Sequence, residues 1–303
     1  MKICDIVQFY SSLSGGVKRY IDDKIRYFAT KSDVEHVVIV PSDRNAVRTE
    51  GRTRIYEMKS VRVIGSSSYR LLVSRNRIRQ VVEQEQPDII EVGDPYHTAW
   101  IVHDIARCAN IPIVAYYHSD YPRAFGRTLE KYCGKTIGRA TERFITGYLA
   151  RLYNRMDATI VATPRFKALL QDLGIERIIQ VPLGTDTDRF HPVDQRTQVL
   201  HDLGLPENTT LLLYVGRLAR EKNVINLVQM MDLFPDHSQT ALLLVGGGEQ
   251  SEQIQRMARQ NDAVYWHPYC NSPELLSVFY SAADAFVHPG TSETFGLVSL
   301  EAQ

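Results

Sequence analysis

The sequence predicts an α/β protein of two doubly wound halves, each a parallel sheet with helices on both faces. Three observations predict it. Short apolar runs alternate with helical patterns, the alternation restarts near residues 182–195, and 303 residues exceed one ordinary core. The expected division is 1–182 and 183–303.

In the first half, "KICDIVQFY", "HVVIVPS", "PDIIEVGD", "IPIVAYYHS" and "ATIVATP" read as strands. Helical patterns near 16–30, 70–85, 97–109, 128–156 and 164–173 separate them. "RIIQVPLGTDTDRFHP" is a strand running into a Pro- and Asp-rich connector. The second half repeats the scheme with "TTLLLYVGRL", "TALLLVGGG", "AVYWHPY" and "ADAFVHPG". Ligands of such sheets sit outside the carboxyl ends of the strands. The loops of interest are therefore "QFYSSLSGGVKR", "YYHSDYP", "VGRLAREK", "VGGGEQ" and "HPGTSETFG".

Composition is that of an ordinary globular chain, 44% apolar and 23% charged. No apolar run approaches the ~20 residues of a membrane span. The start reads as a strand rather than a leader, and the four cysteines show no metal-ligand spacing, so a reduced cytoplasmic setting is expected. Net charge is zero but uneven. Residues 1–180 carry 28 Lys and Arg against 20 Asp and Glu, a net +8, and residues 181–303 carry 7 against 15, a net −8. Such a first half suits an anionic partner: nucleic acid, an anionic membrane or a phosphorylated substrate.

In "YVGRLAREKN", Gly216, Arg217 and Lys222 stand between a strand and a helix. A tight turn, backbone N–H groups and two cations suit a diphosphate, and a solvated loop is the plain alternative. In "SETFGL", Glu293 precedes Thr294, Phe295, Gly296 and Leu297, with Glu301 eight residues on. Two carboxylates so spaced can grip two hydroxyl-bearing parts of one extended ligand. The plain alternative is a helix-start carboxylate and a surface charge. Asp186 and Asp188 form an Asp-x-Asp pair, but they sit in the connector, where turn chemistry explains them.

"GRLAREK", followed about seventy residues later by "HPGTSETFGLVSLEA", resembles the retaining GT-B glycosyltransferases, family 4 best of all. The Glu-x7-Glu motif of that family stands here as Glu293 and Glu301, and its G-R-x4-K element as Gly216, Arg217 and Lys222. "VGGGEQ", "YSAADAFVHPG" and "GGVKRY" are also similar to family segments. The resemblance implies a GT-B fold, two Rossmann-like domains facing across a cleft: an N-terminal acceptor side and a C-terminal donor-nucleotide side. It implies transfer of a sugar from a UDP- or GDP-sugar to an acceptor with retention of configuration, as in glycolipid or polysaccharide synthesis. Arg217 and Lys222 would neutralise the departing diphosphate. Glu293 would hold sugar hydroxyls and Glu301 the ribose. Gly16, Gly248 and the amides at Thr294, Phe295, Gly296 and Leu297 would meet the donor, with Tyr269 near the base. His118, at a strand end in the first half, would face the donor sugar, so that His118 and Glu293 are the catalytic candidates. No metal or other cofactor is expected.

"GRTLEKYCGKTIGRATERFITGYLARLYNRMD" places Arg127, Lys131, Lys135, Arg139 and Arg143 four apart, with Phe144, Tyr148 and Leu152 as an apolar row beside them. A solvated helix packed by one face is one reading. Contact with an anionic membrane surface or a lipid-phosphate acceptor is the other, making the enzyme peripheral. No nucleic-acid recognition module accompanies the charge. The family pattern continues beyond Gln303, so a truncated second domain is expected. Other readings are an inactive nucleotide-sugar-binding fragment and an epimerase or phosphorylase of the same fold. A Rossmann dehydrogenase is disfavoured, because no G-x-G-x-x-G follows the first strand.

Overall fold

The computed structural model describes residues 1–10, 15–63, 69–122, 134–234, 239–291, 293 and 295–303. The chain divides into two compact units, Met1–Pro182 and Leu183–Gln303.

The first unit runs β1 (Lys2–Ile6), α1 (Gly16–Ala29), β2 (Glu35–Ser42), β3 (Ala46–Glu50), β4 (Thr53–Lys59), β5 (Val61–Arg62), β6 (Arg70–Leu71) and α2 (Arg75–Glu85). It continues with β7 (Ile89–Val92), α3 (His97–Ala109), β8 (Ile113–Tyr116), α4 (Lys135–Tyr153), β9 (Ala158–Val161), α5 (Pro164–Asp172) and β10 (Ile178–Gln180). Eight strands form one sheet in the order β10-β9-β8-β7-β1-β2-β4-β3. All pairs are parallel except β3 with β4. β5 and β6 pair separately.

The parallel strands are buried on both faces, and this is why they read as continuous apolar runs. Val37 and Ile39 point into one core cluster, Val38 and Val40 into the other. α1 closes the second cluster with Ile21 and Ile25, one helical turn apart. α5 begins as local chemistry dictates: Pro164 is at its first turn, and the Thr163 hydroxyl accepts the Phe166 N–H at 3.3 Å.

The second unit runs α6 (Arg196–Asp202), β11 (Thr210–Val215), a 3-10 turn (Arg220–Lys222), α7 (Val224–Met231), β12 (Thr240–Val245) and α8 (Ser251–Ala258). β13 (Val264–His267), α9 (Pro273–Ala282), β14 (Ala285–Phe286) and α10 (Leu297–Glu301) follow. Its sheet is parallel, in the order β13-β12-β11-β14. Leu211, Leu213 and Val215 enter one cluster, Leu242, Leu244 and Tyr214 the other.

Two expectations change. The hairpin β3–β4 falls in "NAVRTEGRTRIYEMK", where no strand was expected, because β3 is an edge strand with an exposed, charged pattern. The apolar row on α4 is largely packed rather than presented to a membrane. Leu152 is fully buried, and the Tyr148 hydroxyl donates to Pro95 O at 2.7 Å and accepts from Trp100 Nε1 at 2.9 Å. Phe144 alone remains exposed, at 75%. Arg139 and Arg143 are exposed, while Arg127, Lys131 and the Lys135 side chain lie outside the described residues. In the connector, Asp186 behaves as a turn residue. Its carboxylate accepts the Asp188 N–H at 3.2 Å and pairs with Arg189 at 3.2 Å.

Candidate active site

Strand order locates a crevice in each unit. In the first sheet the order reverses between β1 and β7, in the second between β11 and β14. Such switch points are where doubly wound sheets bind ligands.

In the second unit, glycines let the loops after β11 and β12 lie backbone on backbone. The Gly216 N–H donates to Val245 O and the Gly246 N–H to His267 O, both at 3.0 Å. A Cβ on Gly246 would sit 1.9 Å from Gly216 O, and one on Gly248 would sit 2.4 Å from Leu218 O. The Leu218 N–H donates to Gly247 O, and Leu218 O accepts from the Gln250 N–H, each at 3.0 Å. This contact sets the course of the next turn, which carries Lys222. Asn223 ends that turn at φ +54° and donates through Nδ2 to Pro289 O at 3.3 Å. The turn is thereby tied to the loop after β14.

There Lys222 meets Glu293. The Lys222 ammonium donates to the Glu293 carboxylate, and His288 Nε2 lies 3.0 Å from the same carboxylate oxygen. The His288 ring stacks near Tyr214, with centroids 5.8 Å apart. The Tyr214 hydroxyl in turn donates to Arg217 O at 3.0 Å. Gly290 leaves room for this packing, since a Cβ there would come within 2.7 Å of His288 Cε1 and 3.4 Å of Lys222 Cδ. Burial opposes ionisation of Glu293, but the His288 hydrogen bond and the Lys222 charge outweigh it and hold its pKa at about 2. The result is a permanent carboxylate beside a cation at the carboxyl ends of two adjacent strands.

The other expected residues fall around this pair. Arg217 directs its guanidinium to Glu221 at 2.8 Å, both half exposed. Gly248 lies in the loop-on-loop contact. Tyr269 is 45% exposed, and its Cβ is 3.5 Å from where a Gly247 Cβ would stand. Gly296 precedes α10 at φ +81°, with Phe295 before it and Leu297 as the first helical residue. Glu301 is set back on α10 and accepts the Tyr280 hydroxyl at 3.2 Å. Thr294 lies outside the described residues. His288 and Tyr214 were not singled out from sequence. A histidine two residues past β14 and a lone tyrosine in the "LLLYV" strand are the signals that could have found them.

In the first unit, Gly15 caps and Gly16 opens α1. His118 follows β8, half-buried, stacked on Tyr116 (centroids 4.3 Å, 14°) and edge-on to Tyr20 at 5.3 Å. Burial first, then the Lys24 charge, lowers its pKa to about 3, against a smaller opposing pull from Asp5. It is a neutral imidazole at working pH.

Sequence reading missed Asp94, just past β7 at the switch point. It is 3% exposed, and its Oδ2 accepts the Gln8 N–H at 2.9 Å while Oδ1 is unpartnered. Burial pushes its pKa up to about 6, against backbone hydrogen bonds from Gln8 and Tyr96. A pKa raised on folding favours the native state below the unfolded value, and that advantage is lost as pH rises through 6. Asp94→Asn is therefore expected to raise stability by about 2–3 kcal/mol at pH 8, with the gain vanishing as pH falls to ~4. Thermal melts across that range check it.

Comparison with known proteins decides the family. The family model described as Glycosyltransferase Family 4 matches residues 14–189, more than half of the chain. The chain belongs to Glycosyltransferase Family 4. In this family 4 chain, residues 195–303 match a second model, Glycosyl transferases group 1. A GDP-mannose-dependent alpha-(1-6)-phosphatidylinositol dimannoside mannosyltransferase of Mycobacterium tuberculosis is 26% identical over 306 residues, covering 99% of this chain and 76% of that protein. Among solved structures, sucrose-phosphate synthase of Thermosynechococcus elongatus superposes with a TM-score of 0.77 at 20% identity, covering 100% of this chain and 79% of that one. Anabaena HepE in complex with UDP-glucose superposes at 0.69 with 16% identity, covering 100% and 78%. The fold is GT-B, and the family 4 chain is a glycosyltransferase.

Proposed function

We propose that this enzyme transfers a hexosyl group from a nucleoside-diphosphate sugar to a lipid-linked acceptor hydroxyl, with retention of configuration. The observation that carries the reading is the Lys222–Glu293–His288 cluster at the β11/β14 switch point. It offers a cation for a diphosphate and a fixed carboxylate for sugar hydroxyls within one contact of each other. As the glycosidic bond breaks, negative charge grows on the leaving diphosphate, and Lys222 and Arg217 stabilise it. The leaving oxygen accepts the proton of the acceptor hydroxyl. Neutral His118 serves as a hydrogen-bonding partner for the sugar rather than as a base. Glu301 holds the ribose, and Tyr269 with Gly248 borders the base. The mycobacterial relative is named for GDP-mannose and a phosphatidylinositol dimannoside, and HepE was solved with UDP-glucose. Both nucleotides are therefore the donors to try.

Calorimetry with GDP and UDP, then GDP-mannose and UDP-glucose, tests the reading. One nucleotide is expected to bind saturably, with a loss of at least about tenfold in Arg217→Ala and in Lys222→Ala, one charge-assisted contact each. Two side-chain cations meet the diphosphate in this proposal, so EDTA is expected to leave binding unchanged. No binding of either nucleotide overturns the reading.

Among the described residues, no helix is long and apolar enough to cross a membrane. We place the enzyme at the membrane surface through α4, where Arg139 and Arg143 are exposed alongside Ile137 and Phe144, 50% and 75% exposed. Each basic residue near an anionic surface contributes about 1 kcal/mol. Charge reversal at Arg139 and Arg143 is expected to weaken co-sedimentation with phosphatidylglycerol vesicles by at least about tenfold. Unchanged co-sedimentation removes α4 from the proposal.

A further inference from the structure

Beneath His118 the first unit buries a chain of charges. Lys24 on α1 donates to Asp5 of β1 at 2.7 Å and to Glu91 of β7 at 3.0 Å. Tyr20, one turn earlier on α1, donates its hydroxyl to the other oxygen of Glu91 at 3.0 Å. Asp5 also contacts His36 Nε2 at 2.5 Å, and His36 Nδ1 lies 3.0 Å from the Thr53 hydroxyl. Asp5 is 0% exposed, His36 1% and Glu91 7%. Burial works against the Lys24 charge, but the two carboxylates outweigh it and raise its pKa above the ordinary value.

Buried ion pairs of this kind are poor devices for stability, because apolar packing of the same volume serves as well or better. The network has a definite neighbour instead. The Tyr20 ring lies 4.9 Å from Tyr116 and 5.3 Å from His118, and the Lys24 ammonium is 5.1 Å from the Tyr20 ring centroid. Tyr116 covers the face of the His118 imidazole. The two rings thus bound His118 on face and edge. Tyr20 is itself held at its hydroxyl by Glu91 and at its ring by Lys24.

We propose that Lys24, Glu91 and Tyr20 form a positioning unit that holds the His118 imidazole in one orientation toward a hydroxyl of the transferred sugar. The inference rests on the reading above that His118 meets the donor. The groups that act on His118 are Tyr20 and Lys24 from α1, Asp5 from β1 and Tyr116 from β8, with Glu91 of β7 one contact behind, on Tyr20 and Lys24, and Ser119 and Asp120 following His118 in the chain. Of these, the Lys24 cation opposes an imidazolium, and Asp5 favours one. Removing Lys24 therefore does two things: it frees Tyr20, and it lets the histidine protonate at higher pH.

The experiment measures His118 directly, by its NMR titration, and the turnover of GDP-mannose and UDP-glucose. The set is wild type, Lys24→Met, Lys24→Arg, Tyr20→Phe and His118→Ala. In Lys24→Met, the His118 midpoint is expected to rise by at least one pH unit, and the acid limb of kcat/KM to rise with it. Turnover falls about tenfold at unchanged donor KM. Lys24→Arg restores most of both. Tyr20→Phe keeps the ring and removes one buried hydroxyl. It carries the test if Lys24→Met does not fold, and is expected to lower kcat several-fold without moving KM. A folded Lys24→Met or Tyr20→Phe with wild-type kcat and an unmoved titration, beside a damaged His118→Ala, overturns the positioning unit alone. A His118→Ala enzyme with wild-type turnover overturns the role of His118 and the inference with it.

Discussion

Glu293→Gln is expected to lower turnover by about 10²–10³-fold, equivalent to about 3–4 kcal/mol of transition-state stabilisation. The change keeps the shape of the side chain and removes its charge. That charge is not incidental, because Glu293 takes both the Lys222 ammonium and His288 Nε2. A neutral amide retains at most one of these as an acceptor, and its NH₂ faces a cation or an imidazole nitrogen. In the proposed reaction, the carboxylate orients sugar hydroxyls while positive charge develops on the ring, and an amide cannot match that field. Loss of kcat with little change in nucleotide affinity separates this role from diphosphate binding, which Lys222→Ala reports. The same residue gives a pH-dependent stability effect. A carboxylate lowered to about 2 contributes stability above its unfolded value near 4.3, and this is lost as pH falls through 2. Glu293→Gln is therefore expected to melt lower than wild type at pH 7, by about 1–2 kcal/mol, with the difference closing toward pH 2. Initial-rate kinetics and melts at several pH values check the two halves. Wild-type kcat in Glu293→Gln would falsify the catalytic role of the carboxylate.

Much of the second unit could be read from its sequence, and the reason is physical. Where a strand ends in a glycine and a cation-bearing turn follows, both the element and the site are written locally. That is the case at Gly216, Arg217 and Lys222; Gly296 is legible in a different way, as the left-handed residue that precedes α10. The loops "VGRL" and "VGGG" were separately visible, but their contact was not. It depends on Gly216 O lying where a side chain on residue 246 would be. Lys24 shows the opposite limit. A lysine on an amphipathic helix reads as solvated, and only the two carboxylates brought from β1 and β7 make it a buried cation. Asp94 was hidden for the same reason, since its burial comes from β1 and α3 closing around the end of β7. The α4 row left packing and exposure both open, because helical spacing identifies a stripe but not its partner. Trp100 and Pro95 take Tyr148 inward, and Phe144 is left outside.

Gly246→Ala is expected to destabilise the second unit by about 3–5 kcal/mol and to abolish nucleotide binding in whatever fraction still folds. Two independent penalties act. Gly246 has φ +152°, a conformation that L side chains rarely adopt. Its Cβ would also stand 1.9 Å from Gly216 O, which is backbone and cannot swing away. Relief requires the two loops to separate. That breaks the Gly216 N–H bond to Val245 O and the Leu218 N–H bond to Gly247 O, and it releases the turn that places Lys222 against Glu293. A penalty of this size is a large fraction of the roughly 5–15 kcal/mol by which a domain is stable. Gly247→Ala is the control: its Cβ would make only ordinary contacts, with the Tyr269 Cβ at 3.5 Å, Ser251 Oγ at 3.9 Å and the Tyr269 N at 4.0 Å. That variant is expected to stay within about 1 kcal/mol of wild type and to bind nucleotide. Denaturant melts and calorimetry on the pair separate backbone collision from mere loss of loop flexibility. If stiffening alone were responsible, the two alanines would behave alike; if the loop-on-loop contact builds the site, only Gly246→Ala loses it.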